Sequence, residues 1–162
     1  MTGYRFNTAP ELRVGLGTAL EVGAYCAQLG IKRPLLVTDP GLLAVGLVTP
    51  VQEAMAATCE HVALFSEVTA DPAESVVLDA LAVLQAGEAD GVVGLGGGSS
   101  MDVAKAIAVL AAGSQTLAEA YGVDKVVGGR LPLILIPTTA GTGSEVTPVA
   151  VITTGETTKA GI

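Results

Sequence analysis

Four short apolar runs punctuate the chain: PLLVTD (34–39), HVALF (61–65), DGVVGL (90–95) and LPLILI (131–136). Each has the length of a strand, and none alternates polar with apolar positions, as expected of strands covered on both faces. The segments between them carry helix punctuation. Thr18-x-x-Glu21 reads as a capping box opening a helix to about Leu29, with Gly30 as its stop. Thr49-Pro50-x-Gln52 opens a second helix to about Ala57, and Asp71-Pro72-x-Glu74 a third through Gln85, stopped by Gly87. Ser99 and Ser100 cap a fourth, rich in Ala, Ile, Val and Leu, to about Ala112. YRFN (4–7) and the stretch around Leu12–Val14 read as an opening strand or hairpin, and Val146–Ile152 as a last strand. This alternation predicts an α/β fold, a parallel sheet with helices on both faces.

In such a sheet a ligand sits beyond the carboxyl ends of the strands, so the residues after each run are the candidates. Asp39 follows the first. At a strand end its carboxylate can accept hydrogen bonds from a ribose diol and repel a 2′-phosphate; Asp-Pro-Gly is equally ordinary turn chemistry, with Asp39 as an N-cap. Gly96-Gly97-Gly98-Ser99-Ser100 follows the third run and leads into a helix. Its missing β-carbons let a diphosphate approach the backbone, and helix amides favour an anion there. Gly94-x-Gly96-x-x-Ser99 is a near match to the dinucleotide fingerprint, with the candidate ribose acid before the glycines instead of after them. Asp102 and Lys105, three apart on that helix, are either a simple ion pair or part of the site. After the fourth run, PTTAGTGSE (137–145) packs four hydroxyls and two glycines into nine positions, a donor set suited to sugar and phosphate oxygens.

Composition narrows the choice. The chain has 162 residues, the size of one domain, with 16 acidic against 8 basic side chains and a net charge of −8. That balance argues against binding a nucleic-acid backbone, and aromatic residues at 3% argue against base stacking. No apolar run suits a bilayer-spanning helix, and the opening MTGYRFNTAP lacks the features of a secretory signal. Cys26 and Cys59 are too few for a disulfide scaffold, so a cytoplasmic protein is expected. His61, the single histidine, has no partner at ligand spacing and makes a Ser-His-acid triad hard to build.

LGGGSSMDVAKAIAVL (95–110) and ILIPTTAGTGSEVTPVAVIT (134–153) together resemble the two signature segments of the amino-terminal half of the iron-dependent (group III) alcohol dehydrogenases. GLGTALEVG, PLLVTDPGL and the Asp-Pro before a helix follow that family's order, so the resemblance spans nearly the whole chain. It implies a Rossmann-like dinucleotide-binding domain over residues 1–162. It also implies NAD as cofactor, and a parent enzyme interconverting an alcohol and an aldehyde or ketone by hydride transfer. In the family a separate helical domain supplies one Asp and three His to a divalent metal (Fe or Zn). That region is expected to lie outside this chain, which would then be inactive alone and expose an apolar face favouring a homo-oligomer. By the same resemblance Asp39 contacts the adenine-side ribose, and the Gly96–Gly97–Gly98–Ser99 loop holds the pyrophosphate. Asp102 lies near the nicotinamide end as a catalytic candidate. Thr138, Thr139 and Thr142 surround the phosphates and nicotinamide ribose, and Lys159 is a cofactor-facing lysine. Where many members carry Asn-Pro before the third helix, this chain carries Asp71-Pro72. Two other readings remain: a stand-alone nucleotide- or phosphate-binding module, and the front half of a related polyol or glycerol dehydrogenase.

Overall fold

The computed structural model describes Gly3, residues 8–155 and residues 158–162; the YRFN run lies outside them. The four apolar runs form strands β1 (Pro34–Val37), β2 (Ala63–Phe65), β3 (Gly91–Gly96) and β4 (Leu133–Pro137). All pair in parallel, in the order β2-β1-β3-β4. Every residue of β1 and β3 is buried, which explains why these runs show no polar alternation. Successive side chains nevertheless go to opposite faces. Leu35, Val37 and Val92 join a core with Val77, Ala80 and Leu84 of α4 (Glu74–Ala86) and Val103 and Ile107 of α5 (Gly98–Ala112). Leu36, Val93 and Leu95 join a second core with Val22 and Cys26 of α1 (Val22–Gln28) and Val48, Val51 and Met55 of α3 (Val48–Ala56). The expected helix layers on both faces of a parallel sheet are therefore present. Helix α5 lies close against β3 because position 94 is glycine: a β-carbon there would stand 2.8 Å from that of Ala104.

Two short helices were not legible as elements: α2 (Pro40–Ala44) and α6 (Leu117–Ala120). Beyond the sheet, β5 (Val151–Thr154) and β6 (Thr158–Gly161) pair antiparallel as a separate ribbon. The ribbon is stitched to the loop before α4. Thr153 N donates to Pro72 O at 2.9 Å, Ala73 bridges to Thr153, and Lys159 Nζ pairs with Asp71 Oδ1 at 2.6 Å.

Several local expectations are corrected. Leu12–Val14 is not a strand, and Leu12 and Val14 are exposed. Thr18–Glu21 is a 3-10 turn without a side-chain cap; Thr18 bonds back to Gly15 O and Glu21 accepts from the Tyr25 hydroxyl. Helix α3 starts at Val48, ahead of the Thr-Pro signal, and α4 starts at Glu74, with Asp71 in the left-handed region at φ 51°. No serine caps α5, whose N-cap is Gly97. Val146 ends a 3-10 turn (Ser144–Val146), the strand after it begins only at Val151, and Lys159–Gly161 belong to a further strand, β6. The capping box that does form is Thr116-x-x-Glu119, at the start of α6.

Candidate functional site

The chain leaves β1 for the outer strand β2, then crosses back to β3, so connections on the two sides of the β1/β3 boundary diverge. That reversal opens a crevice at the carboxyl end of the sheet. Backbone bonds fix its rim: Thr38 N donates to Phe65 O, Val68 N to Thr38 O, and Thr138 N to Gly96 O. The crevice encloses about 720 Å³. Asp39, Pro40 and Leu42 line it after β1, Gly97 through Ser100 after β3, and Thr138 and Thr139 after β4.

Asp39 serves both readings of its position. Its Oδ1 accepts from Leu42 N at 3.0 Å and caps α2. Its Oδ2 lies toward the glycine loop, 3.3 Å from where a β-carbon on Gly96 would stand. Among the described residues it is the only charged side chain of the lining, with no Lys or Arg beside it. An anion here would be met by amides. Gly97 caps α5 without a side chain, so the amides of Gly98, Ser99 and Ser100, which have no acceptor within the helix, open on the crevice at the positive end of a 15-residue helix.

The three glycines differ in what they do. Gly96 has φ 150°, and a β-carbon on it would stand 2.6 Å from Ser100 Oγ, so it serves backbone geometry and does not line the crevice. Gly97 and Gly98 line it. Their β-carbons would meet Thr139 Oγ1 at 3.4 Å and Thr142 Cβ at 3.5 Å, so the threonine loop backs directly onto the glycine loop.

Besides Gly96, three of the expected site residues stand outside the walls. Thr142 lies behind Gly98, its hydroxyl accepting from Ser144 N at 3.3 Å. Asp102 is buried: Oδ1 accepts from Ser144 Oγ at 2.6 Å and pairs with Lys105 Nζ at 2.9 Å, while Oδ2 accepts from Val151 N at 3.0 Å. Lys159 sits on the ribbon, exposed and paired with Asp71. Conversely, Val68, Thr69 and Ala70 line the crevice and were not singled out from sequence. They follow β2 after Ser66 and Glu67, so the strand-end rule applied to HVALF points to this stretch. No group of three or more His, Cys, Asp or Glu among the described residues could hold a metal ion. Among them, too, no helix is long and apolar enough to cross a membrane.

A family model described as iron-containing alcohol dehydrogenase matches residues 9–162. The chain belongs to the iron-containing alcohol dehydrogenase family. Among curated members it is 41% identical over 156 residues to choline dehydrogenase of Bacillus subtilis (strain 168), a match covering 94% of this chain and 39% of the relative. It is 39% identical over 148 residues to NAD-dependent methanol dehydrogenase of Bacillus methanolicus, covering 91% and 39%. The chain thus spans about two-fifths of the length of these family members. Among solved structures it superposes on sulfoacetaldehyde reductase from Bifidobacterium kashiwanohense in complex with NAD+, with TM-score 0.88 and 29% identity over 100% of this chain and 43% of that one. A 1,3-propanediol oxidoreductase gives TM-score 0.94 and 33% identity, covering 99% and 42%. The Rossmann-like class expected from the signature segments is shared with these members.

Proposed function

We propose that the crevice binds NAD(H) and that residues 1–162 form the dinucleotide-binding domain of an enzyme interconverting a small alcohol and an aldehyde or ketone. The observation carrying this reading is a glycine loop opening on the uncapped start of α5, with one carboxylate and no cation among the described residues lining the same crevice. Two family members are named or were solved with NAD, which supports it. When bound, the nicotinamide supplies an acceptor or donor for hydride.

The residues of this chain bind and orient. Asp39 Oδ2 accepts from the adenine-side ribose diol, while Oδ1 stays committed to α2. The amides of Gly98 and Ser99, beside the bare backbone of Gly97, meet the pyrophosphate, and Gly96 sets the loop's path. Thr138 and Thr139 offer hydroxyls from the β4 side. Lys159 joins as a cofactor contact once its ammonium leaves Asp71. The described residues do not fit the metal in the family's name, so the part proposed for this chain is cofactor binding. Substrate, metal and a homo-oligomeric, cytoplasmic setting belong to the proposal for the whole enzyme.

Calorimetric titration of the protein with NAD+ and NADP+ tests this. Like charges brought together in a binding site cost several kcal/mol. Asp39 is only half-buried, so a preference of roughly tenfold for NAD+, about 1.4 kcal/mol, is the expectation. Equal or tighter NADP+ binding removes Asp39 from the ribose, and absence of binding by either removes the dinucleotide.

A further inference from the structure

We propose that Lys105 and Asp102 are positioning residues for this crevice: a buried ion pair that fixes residues 144–151 and, through Ser144, seats the threonine loop behind the glycines. The proposal rests on the dinucleotide reading. Lys105 and Asp102 are only 7% and 9% exposed, so this is not the solvated i, i+3 pair that spacing alone suggests. The Lys105 ammonium donates to Ser144 O at 3.0 Å, to Thr147 O at 3.5 Å and to Val149 O, besides its contact with Asp102. Between the Ser144–Val146 turn and β5 the backbone has no regular structure to satisfy those carbonyls, and one ammonium gathers them. Both oxygens of Asp102 are engaged within the chain, which places it as a support and leaves neither oxygen free of a protein partner.

Ser144 is the joint. Its carbonyl goes to Lys105, its hydroxyl to Asp102 and its amide to Thr142 Oγ1, so all its polar groups are spoken for in a residue 7% exposed. Thr142 in turn stands against Gly98. A contiguous path therefore runs from the ion pair to the phosphate-facing backbone. A buried ion pair adds little net stability over apolar residues of the same shape, whereas fixing one arrangement of a segment is a use such pairs have.

The test compares NAD+ with AMP, which keeps the adenine, its ribose diol and one phosphate but lacks the second phosphate and the nicotinamide riboside. Ser144→Ala keeps the ion pair and both backbone bonds of residue 144, and removes the hydroxyl bond that ties it to Asp102. It is expected to weaken NAD+ binding at least fivefold while leaving the AMP affinity within twofold and the unfolding midpoint within a few degrees. Ser144→Thr, which restores the hydroxyl, is expected to recover NAD+ binding. Lys105→Met is expected to weaken NAD+ more severely; should it fail to fold, Ser144→Ala decides. Unchanged NAD+ affinity in Ser144→Ala, or parallel loss of AMP and NAD+, overturns the positioning role. Wild-type protein that binds neither ligand overturns the dinucleotide reading itself.

Discussion

Alanine at Gly96 and alanine at Gly97 are adjacent, chemically identical changes for which the structure demands opposite outcomes. At Gly96 the backbone sits at φ 150°, where side chains of L-residues are strained, and the new carbon would lie 2.6 Å from Ser100 Oγ and 2.7 Å from its Cβ. Strain of that kind costs of order 1–3 kcal/mol, and overpacking a tight interior a similar amount. Ser100 is itself buried on α5 and cannot retreat without moving the helix off β3. A loss of about 3 kcal/mol follows, roughly 6–12 °C in Tm for a chain of this size. At Gly97, φ −79° and ψ −170° suit any residue, and the added carbon meets only the Thr139 side chain, Oγ1 at 3.4 Å and Cγ2 at 3.8 Å. Stability should stay within about 1 kcal/mol of wild type, since Gly→Ala at a permitted φ/ψ restricts the unfolded chain. The methyl instead enters the crevice, and NAD+ affinity should fall tenfold or more. Urea unfolding followed by circular dichroism gives the first quantity and calorimetry the second. Equal destabilisation by the two variants would refute the division of labour between these glycines. Gly97→Ala binding NAD+ like wild type would remove Gly97 from the ligand surface.

Asp39→Asn keeps an acceptor for Leu42 N, so the cap on α2 should survive while the NAD+ over NADP+ preference narrows; an unchanged preference measured by calorimetry would show the charge is not the discriminator. Burial, with Cys59 beside it, pushes the Cys26 thiol up to about 12. Above pH ~9 the unfolded thiol ionises and the folded one does not, so stability should fall as pH rises, with a limiting slope of about 1.4 kcal/mol per pH unit. Urea titrations at pH 8 to 10 should show this fall in wild type and a shallower one in Cys26→Ala; identical slopes would contradict it. The backbone N–H and hydroxyl of Thr116 hold the Glu119 carboxyl below its ordinary range. The α6 cap is therefore complete above the usual Glu pKa and lost as pH falls through the lowered one. Thr116→Ala should lower the unfolding midpoint by a few degrees at neutral pH and by less at pH 3; an equal drop at both would leave Glu119 without a part in the cap.

The strands were legible because the middle of this sheet is buried on both sides, and uninterrupted apolar runs have few other uses. Helix starts were less legible. Val48 begins α3 because its side chain is fully buried against the sheet, and packing overrode the Thr-Pro signal two residues later. The serines at the head of α5 suggested caps, yet the structure leaves those amides uncapped, which is what an anion site requires. The glycine loop, Asp39, Thr138 and Thr139 could be read from their places after strands. The burial of Asp102 and Lys105 could not, since it depends on a segment some 40 residues further along folding back over them. The segment Val68–Ala70 is hard to read because its one hydroxyl, Thr69, stands without the glycines and clustered hydroxyls that mark the other strand ends.

The stitching of the β5–β6 ribbon to the loop before α4 bears on how the molecule assembles. Its links close very long stretches of chain: Thr153 Oγ1 to Asp71 O spans 82 residues and Lys159 to Asp71 spans 88. The Arg33 amide reaches the Asp90 carboxylate across 57, where β1 and β3 begin to pair. Closing such loops costs entropy before any contact repays it, so the pairing of β1 with β3 and the docking of the ribbon are both expected to be slow steps in folding. Ile152 of the ribbon is fully buried in the core with Val77 and Val103, so packing as well as these bonds holds it in place. A substitution that unseated Ile152 would free Val151 N from Asp102 and loosen the support beneath the glycine loop, so damage to the ribbon would register as a change in how firmly the crevice holds its ligand.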